Sequence, residues 1–425
     1  MRICVQGRAP LGGVYRPSGN ANAAQALLAA SLLTEAPVTL RGLPRTTSTQ
    51  AMITVAEQLG AALTWHDSES VTIEARQITR RILTHEETEA SVGPLLFIAP
   101  FLTRRQHARL EIDFPLNRIR THLEAVRDLG IDVVTTNGAV EFNAATWERR
   151  EIIMTQASVT ATALVLMLAA RFGKETIVHN AACEPHVQEL AHMLVQMGAQ
   201  IDGIGSNVLR ICGTTELGGA DLTIGPDHIE AASIAAIAAL TGGRVQIDGI
   251  RMADMRIIAK IFWRLGIQLD MDETTIFVPR HETLSVSNRE EDVDSSIESA
   301  PWPGFPSDLV ALATVVATQA RGTSLIHEKL FNNRLLFVDK LKAMGAQIVL
   351  CDPHRAIVVG PTPLRGVYMD TPDVRAGLGM LAAALIADGE STIDNAQAIE
   401  HTFAGVLGKL QALNAQITID EHVRG

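Results

Sequence analysis

A proline-rich string at residues 300–308 (APWPGFPSD) ends on a carboxylate, Asp308, that could accept or donate a proton. Three prolines and a glycine stiffen the backbone of this string, and a long apolar run begins directly after it. One hypothesis is therefore a rigidly held carboxylate that acts as a general acid or base. The alternative is that Asp308 only caps the helix that follows.

Three further strings are candidate functional sites. Residues 17–24 (PSGNANAA) lead into an alanine-rich run, and the free backbone N–H groups at a helix start can hold an anion. A plain cap and turn is the alternative. Residues 331–334 (FNNR) and 373–376 (DVRA) each carry an arginine. Because an arginine in the first turn of a helix opposes the macrodipole, Arg375 either pairs with Asp373 or meets a ligand anion.

Histidine and cysteine spacing gives no metal signature. His186 and His192 are six residues apart, which is not the i, i+4 spacing of a helical metal site. The four cysteines stand far apart without a CxxC pattern. We therefore expect no metal, no zinc cage and a reduced, cytoplasmic protein.

Charge and hydropathy exclude other classes. With 36 Lys and Arg against 47 Asp and Glu, the net charge is −11, and no basic tract is interleaved with aromatic residues, which argues against nucleic-acid binding. The alanine-rich runs are too short to span a bilayer, and the first residues lack the apolar core of a signal peptide. We expect a soluble protein with no membrane partner, either a monomer or a weak homo-oligomer.

The elements that must position these residues repeat along the chain. A Leu/Met-Gly-Ala/Ile segment recurs with its glycine at positions 60, 130, 198, 266 and 345, and Asn414 takes the glycine position of a sixth copy. A fixed period indicates one supersecondary unit used repeatedly. Residues 289–294 (REEDVD) lie in the longest interval and are interpreted as a solvated insertion.

The third repeat shows what one copy contains. Residues 158–171 are apolar on almost every face and predict a buried helix, followed by a short strand at 176–178. Residues 187–197 predict an amphipathic helix, which Gly198 ends in the left-handed conformation. Strands at 199–201 and 208–211 complete the copy. The other predicted buried helices are at 22–33, 90–102, 229–240, 308–320 and 374–387.

Six repeats predict an α/β fold in two lobes of three repeats each, because one core seldom serves 425 residues. The boundary is placed at residues 225–227. We predict an N-terminal lobe at 20–226 and a C-terminal lobe that combines 1–19 with 227–425.

The strings SGNANAA, SVTAT, NAACEP, PDHIE, APWPGFPSD, FNNR and DVRA occur in this order. With these strings in this order, the whole chain resembles the enolpyruvyl transferases. The resemblance implies a two-lobed inside-out α/β barrel. It also implies transfer of the enolpyruvyl group of phosphoenolpyruvate to a hydroxyl of a nucleotide or nucleotide-sugar acceptor, with small-molecule substrates and no cofactor.

The resemblance assigns roles to residues of this chain. The implied catalytic residues are Asp308, as the base for the acceptor hydroxyl, together with Asn22 and Asp113. The implied phosphoenolpyruvate or anion ligands are Arg118 or Arg120, Arg334, Arg375 and His401. The implied acceptor-binding residues are His122, Ser158, Val159, Thr160, Glu184, Glu230 and Leu330.

Several family positions are replaced in this chain. Ala21, Glu89, Gln156 and His401 stand where the family has cationic residues, and the loop at 113–117 lacks the family's cysteine. Each lost charge-assisted hydrogen bond removes roughly 1.5–3 kcal/mol of binding to a multiply charged anion. These replacements favour specialised metabolism, such as nucleoside antibiotic biosynthesis, over cell-wall synthesis. The alternatives are a same-fold enzyme that no longer uses phosphoenolpyruvate and a non-catalytic nucleotide-binding paralogue.

Overall fold

The computed structural model describes residues 1–89, 91–286, 296–370 and 376–420. The chain divides into two compact lobes. The N-terminal lobe is Gly19–Gly225, and the C-terminal lobe combines Met1–Ser18 with Pro226–Gly425.

Helices and strands are numbered along the whole chain, within the described ranges. The α-helices are α1 (Ala21–Ser31), α2 (Thr47–Gln58), α3 (His85–Glu89), α4 (Ile98–Arg105), α5 (Arg120–Asp128), α6 (Val159–Phe172), α7 (Pro185–Gln196), α8 (His228–Leu240), α9 (Met252–Arg264), α10 (Val310–Gln319), α11 (Val338–Ala343), α12 (Gly377–Ile386) and α13 (Val406–Ala412). Short 3₁₀ turns lie at Gly93–Phe97, Leu116–Ile119, Ser307–Leu309 and Ala396–His401.

The strands are short, as expected for sheets that cover a helical core. They are β1 (Arg2–Gln6), β2 (Gly12–Tyr15), β3 (Val38–Arg41), β4 (Ala62–Trp65), β5 (Val71–Glu74), β6 (Ile82–Leu83), β7 (His107–Glu111), β8 (Asp132–Thr136), β9 (Ala139–Asn143), β10 (Trp147–Ile153), β11 (Gly173–His179), β12 (Gln200–Asp202), β13 (Val208–Cys212), β14 (Ala220–Thr223), β15 (Arg244–Asp248), β16 (Asp270–Met271), β17 (Thr275–Val278), β18 (Leu284–Ser285), β19 (Ser296–Glu298), β20 (Ala320–His327), β21 (Gln347–Asp352), β22 (Arg355–Gly360), β23 (Tyr368–Asp370), β24 (Glu390–Asp394) and β25 (Gln416–Asp420).

Each lobe has its core around three apolar helices. In the N-terminal lobe α1, α4 and α6 contact one another, and in the C-terminal lobe α8, α10 and α12 do so. Almost every residue of these helices is buried, and alanine predominates in α1 and α8. A helix that is apolar on all sides must be covered on all sides, so the sheets and the amphipathic helices lie outside it.

The sheets follow one pairing pattern in the described residues. The strand after each central helix (β3, β7, β11, β15, β20 or β24) pairs in parallel on one side and antiparallel on the other. Two sheets of the C-terminal lobe are completed by the start of the chain. There β1 lies between β24 and β25, and β2 pairs in parallel with β15. The parallel outer strand of each sheet, such as β10, was not predicted from the sequence.

The predicted repeat is confirmed in its third copy, where α6, β11, α7, β12 and β13 follow in the expected order. The second and fifth central helices begin later than predicted. In the second, residue 90 lies outside the described residues and a 3₁₀ turn at Gly93–Phe97 precedes α4. Pro94 and Pro100 have no N–H to donate, which explains why the regular α-helix does not extend back to the predicted start at residue 90.

The recurring glycines end the amphipathic helices as predicted. Their φ angles are +101° at Gly60, +89° at Gly130, +113° at Gly198, +89° at Gly266 and +106° at Gly345, and Asn414 has φ +80°. Glycine and asparagine reach this left-handed region most easily, and the reversal leads the chain from helix to strand.

The sheets expected for the two-lobed inside-out fold are present, but they are separate from one another. The described strands of each lobe form three sheets of four or five strands, and these sheets are not joined into a closed barrel. Among the described residues, no helix is both long enough and apolar enough to cross a membrane.

Replacing Gly266 by alanine is expected to destabilise the protein by more than about 2 kcal/mol. The left-handed conformation costs a residue with a Cβ roughly 1–2 kcal/mol, and this Cβ would also lie 2.5 Å from the backbone nitrogen of Ser285. Gly198→Ala introduces the same strain with no atom nearer than 3.9 Å, so its effect should be smaller.

The matched control is Gly408→Ala in α13, where nothing lies within 4 Å of the new Cβ. It should be neutral or stabilise by up to about 1 kcal/mol, since alanine favours helix. Urea unfolding measures all three variants. Equal midpoints for Gly266→Ala and Gly408→Ala would contradict the geometry described for Gly266.

Candidate active site

Asp308 lies in the 3₁₀ turn Ser307–Leu309 that leads into α10. The preceding loop is tied down by its own backbone, because the N–H of Ala300 donates to the carbonyl of Phe305 at 3.0 Å. Pro306 is the N-cap residue of the turn and Leu309 that of α10, and neither cap uses a side chain. The alternative that Asp308 caps the helix is therefore wrong.

The structure brings Asp308 together with Arg334. Oδ1 of Asp308 lies 3.5 Å from Nη1 of Arg334. The aspartate side chain is 41 % exposed, whereas the arginine side chain is only 9 % exposed and its guanidinium lies 4.4 Å from the ring centroid of Phe331. The arginine is thus held in place beside a carboxylate that is partly exposed.

A second carboxylate, Asp227, is the N-cap residue of α8, a role that sequence analysis did not assign. Its Oδ1 accepts hydrogen bonds from the backbone N–H groups of Ile229 at 2.8 Å and Glu230 at 3.0 Å. Burial, reinforced by the negative charges of Glu230 and Asp308, raises the pKa of Asp227 to about 7. A carboxyl group with a pKa near neutrality suits proton transfer. The available signal was PDHIE, an acid at a helix start with a second acid three residues later.

Glu230 is buried inside the C-terminal lobe, with 1 % of its surface exposed. Its Oε1 accepts from the hydroxyl of Tyr15 at 2.6 Å and from Nζ of Lys409 at 2.9 Å, and its Oε2 accepts from the N–H of Ser18 at 3.2 Å. Burial and the Glu230 charge raise the pKa of Tyr15. The carboxylate of Glu230 therefore has three donors within its own lobe, and the expected acceptor contact stays a prediction. Sequence analysis missed Lys409, which is far away in the chain.

The other expected ligands of the C-terminal lobe are less closely grouped. Leu330 is 38 % exposed, and its N–H donates to Oε1 of Glu328 at 2.8 Å. His401 ends the 3₁₀ turn Ala396–His401, where burial lowers its pKa below the ordinary 6.5. Arg375 and the Asp373 side chain lie outside the described residues.

In the N-terminal lobe the structure brings His122 and Thr160 together. Nε2 of His122 lies 2.7 Å from Oγ1 of Thr160, and burial lowers the pKa of this histidine to about 4. The backbone of Ile119 opposes part of this fall in the pKa of His122. Its carbonyl is not placed well enough to count as a hydrogen-bond partner of Nδ1. His122 is therefore neutral near pH 7. Ser158 caps α6 by accepting from the N–H of Ala161 at 3.4 Å.

Val159 and Thr160 form the first turn of α6, so their backbone N–H groups lack partners within the helix. Glu184 occupies the N-cap position of α7 without a side-chain cap bond. At the start of α1 the cap is Asn20, which accepts from the N–H of Ala23 at 2.9 Å. Asn22 is exposed on the first turn beside it.

The two candidate arginines near residue 120 differ in their partners. Arg120 is paired with Glu124 at 2.6 Å on the same helix. Arg118 lies 5.0 Å from the ring centroid of Phe114 and donates to the carbonyl of Glu89 at 3.2 Å. Among the described residues no carboxylate forms an ion pair with Arg118, which makes it the better anion ligand of the two. Asp113 is exposed at the start of the same loop.

Comparison with known proteins identifies the family of this chain. The family profile of EPSP synthase (3-phosphoshikimate 1-carboxyvinyltransferase) matches residues 5–410. The chain is 40 % identical over 421 residues to the UDP-N-acetylglucosamine 1-carboxyvinyltransferase of Bradyrhizobium diazoefficiens, covering 98 % of this chain and 97 % of the relative. It is 38 % identical over 421 residues to the enzyme of the same name from Treponema denticola, covering 98 % and 99 %.

Solved structures agree on the fold. The enolpyruvyl transferase NikO from Streptomyces tendae superposes with a TM-score of 0.88 at 21 % identity, over 98 % of both chains. An EPSP synthase from Acinetobacter baumannii superposes with a TM-score of 0.75 at 16 % identity, over 98 % of this chain and 100 % of that one. The chain belongs to the EPSP synthase/enolpyruvyl transferase family, whose members are transferases of enolpyruvyl groups.

The raised pKa of Asp227 predicts a pH-dependent stability difference in Asp227→Asn. Between the unfolded pKa of 3.8 and the folded pKa of about 7, the folded state keeps a proton that the unfolded state has lost, so this group makes stability fall as pH rises. Asparagine caps as well and does not titrate. Relative to the parent, the free energy of unfolding of the variant should rise by roughly 1–4 kcal/mol between pH 4 and pH 8, at 1.36 kcal/mol per pKa unit.

Urea unfolding at pH 4, 6 and 8 measures this difference. Asp339→Asn, an exposed position in the first turn of α11, is the matched control and should show no comparable trend. A constant difference between Asp227→Asn and the parent across this range would contradict the raised pKa.

Proposed function

We propose that this protein transfers the enolpyruvyl group of phosphoenolpyruvate to a hydroxyl of a nucleotide or nucleotide-sugar acceptor. The observation that carries the proposal is the partly exposed carboxylate of Asp308, held 3.5 Å from the buried guanidinium of Arg334. The identity to UDP-N-acetylglucosamine 1-carboxyvinyltransferases over nearly the whole chain supports the acceptor class.

The chemistry asks for a base and for positive charge. The acceptor oxygen forms a bond to the central carbon of phosphoenolpyruvate as its proton leaves, and the terminal carbon takes up a proton. Loss of phosphate and of one proton from that carbon then restores the double bond. Asp308 is the group proposed to take the hydroxyl proton, and Arg334 stabilises the resulting charge.

We assign anion binding to Arg118, Arg334 and Arg375, as the resemblance implies. The anion carries close to three negative charges, and each charge-assisted hydrogen bond is worth about 1.5–3 kcal/mol. Ala21 and Glu89 replace two cationic residues of the family. We therefore propose a phosphoenolpyruvate site weaker than that of cell-wall enzymes and a role in specialised metabolism.

Acceptor binding is assigned to the first turn of α6 with His122. The backbone N–H groups of a helix start favour a phosphate or diphosphate. Because the low pKa of His122 leaves it neutral, it can hydrogen-bond an uncharged base or sugar without adding charge. The hydrogen bond to Thr160 fixes the ring orientation.

A substrate panel tests the proposal. Purified protein is incubated with phosphoenolpyruvate and either UDP-N-acetylglucosamine, UMP or 3-phosphoshikimate, and product mass and released phosphate are followed. A carboxyvinyl product with a uridine acceptor supports the proposal, and turnover of 3-phosphoshikimate alone contradicts the acceptor class. Uridine nucleotide binding without turnover would favour a non-catalytic paralogue.

Asp308→Asn is expected to lower kcat by roughly 10²–10⁴-fold, the usual contribution of general acid–base catalysis. The side-chain size is kept and Asp308 is not the N-cap residue of either element, so the unfolding midpoint should change little. Steady-state kinetics with the best acceptor measure the loss, and Asp339→Asn is the control for the same chemical change at an exposed site. A kcat within threefold of the parent would remove Asp308 as the base.

His401→Arg is expected to bind phosphoenolpyruvate more tightly than the parent at pH 7–8.5. Burial lowers the pKa of His401 below 6.5, so the histidine is neutral in that range, whereas arginine stays charged. The advantage should shrink as the pH falls, because the histidine then begins to gain a proton. Calorimetry from pH 5.5 to 8.5 gives the phosphoenolpyruvate affinity of the variant and of the parent. Their ratio is compared because titration of the ligand phosphate affects both affinities equally. A ratio that does not change with pH would exclude this role.

A further inference from the structure

Glu328 is a buried carboxylate that the proposed reaction does not yet use. It follows β20 and is 0 % exposed. Its Oε1 accepts from Oγ of Ser299 at 2.9 Å and from the N–H groups of Leu330 at 2.8 Å and Phe331 at 3.1 Å. Its Oε2 accepts from Oγ of Ser307 at 2.7 Å. Four donors of the described residues thus hold this carboxyl group in place.

The four donors come from two separate segments. Ser299 and Ser307 flank the proline-rich loop at residues 300–306, and Ser307 directly precedes Asp308. Leu330 and Phe331 belong to the segment that carries Arg334. Within the described part of the chain, Glu328 forms no ion pair with a cation. Its burial is therefore offset by hydrogen bonds that connect these two segments.

The backbone of Glu328 is fixed as well. Its N–H donates to the carbonyl of His354 at 2.8 Å, and its carbonyl lies 3.0 Å from Nδ1 of the same histidine. The N–H of Lys329 donates to Oγ of Ser299 at 2.8 Å, which adds a second connection between the segments. A rigid carboxylate is thus the shared anchor of both.

We infer that Glu328 is a positioning residue that sets the separation of Asp308 and Arg334, by holding Ser307 on one side and the 330–331 backbone on the other. The inference rests on the proposed function, since it gives Glu328 a role in the transfer step. A base displaced by about 1 Å can lose 10²-fold in rate. Loss of the anchor should therefore act on kcat more than on KM.

Ser307→Ala is the sharpest test, because it removes one bond to Glu328 next to Asp308 and leaves the 330–331 bonds in place. We expect kcat to fall by about 10–100-fold, with KM for both substrates within about threefold. Ser307→Thr keeps the hydroxyl and should restore most of the rate. The matched control is Ser324→Ala in β20, a buried serine whose Oγ has no hydrogen-bond partner among the described residues. It should leave kcat unchanged at a similar unfolding midpoint.

Glu328→Gln gives a second readout that does not depend on turnover. Hydrogen exchange of peptides covering residues 328–334 should be faster than in the parent, because the amide weakens the acceptor of Leu330 and Phe331. Unchanged exchange would overturn the anchoring, even if the kinetics were affected.

The outcomes separate the two claims. If the parent turns over a uridine acceptor and Ser307→Ala matches Ser324→Ala in kcat, the positioning role is wrong and the proposed function stands. If the parent turns over no acceptor, the proposed function fails and the positioning role fails with it. A change in KM alone, with kcat equal to that of the parent, would also overturn the inference.

Discussion

The burial of six apolar helices is the constraint on which the structure depends. Alanine in α1 and α8 lets neighbouring helices approach closely, but it leaves no polar face that could meet water. Sheets and amphipathic helices must therefore surround each trio. The N-terminal ends of these buried helices are where Asn22, Ser158, Asp227 and Asp308 are found. The starts of buried helices offer unpaired N–H groups and a positive dipole end, so polar chemistry collects there.

Four acidic groups of the C-terminal lobe are each stabilised in a different way. Glu230 has Lys409 and Tyr15, Glu328 has four neutral donors, and Asp308 has Arg334. For Asp227, burial, reinforced by the negative charges of Glu230 and Asp308, raises the pKa to about 7. Buried charge is costly without partners, and of these four groups Asp308 is the partly exposed one beside a cation.

Periodicity and local chemistry explain why much of the fold could be predicted. The Leu-Gly-Ala signal places each helix end, since glycine at positive φ is a local requirement that Gly60, Gly198 and Gly345 all meet. The parallel outer strands, such as β10, lacked a signal because their partner β11 lies beyond the intervening helix α6. The capping hypothesis for Asp308 failed because a 3₁₀ turn moved the helix start to Val310.

The sequence by itself determined the six repeats, the buried helices and the presence of Asp308, Arg334 and His122, because each follows from residues close together in the chain. The tertiary structure decided which of these residues meet. It put Lys409 and Tyr15 on Glu230, 179 and 215 residues away, and connected Glu328 to Ser307. It also lowered the pKa of His122 and raised that of Asp227. Burial and long-range charge are properties of packing, and a linear pattern of residue types carries neither.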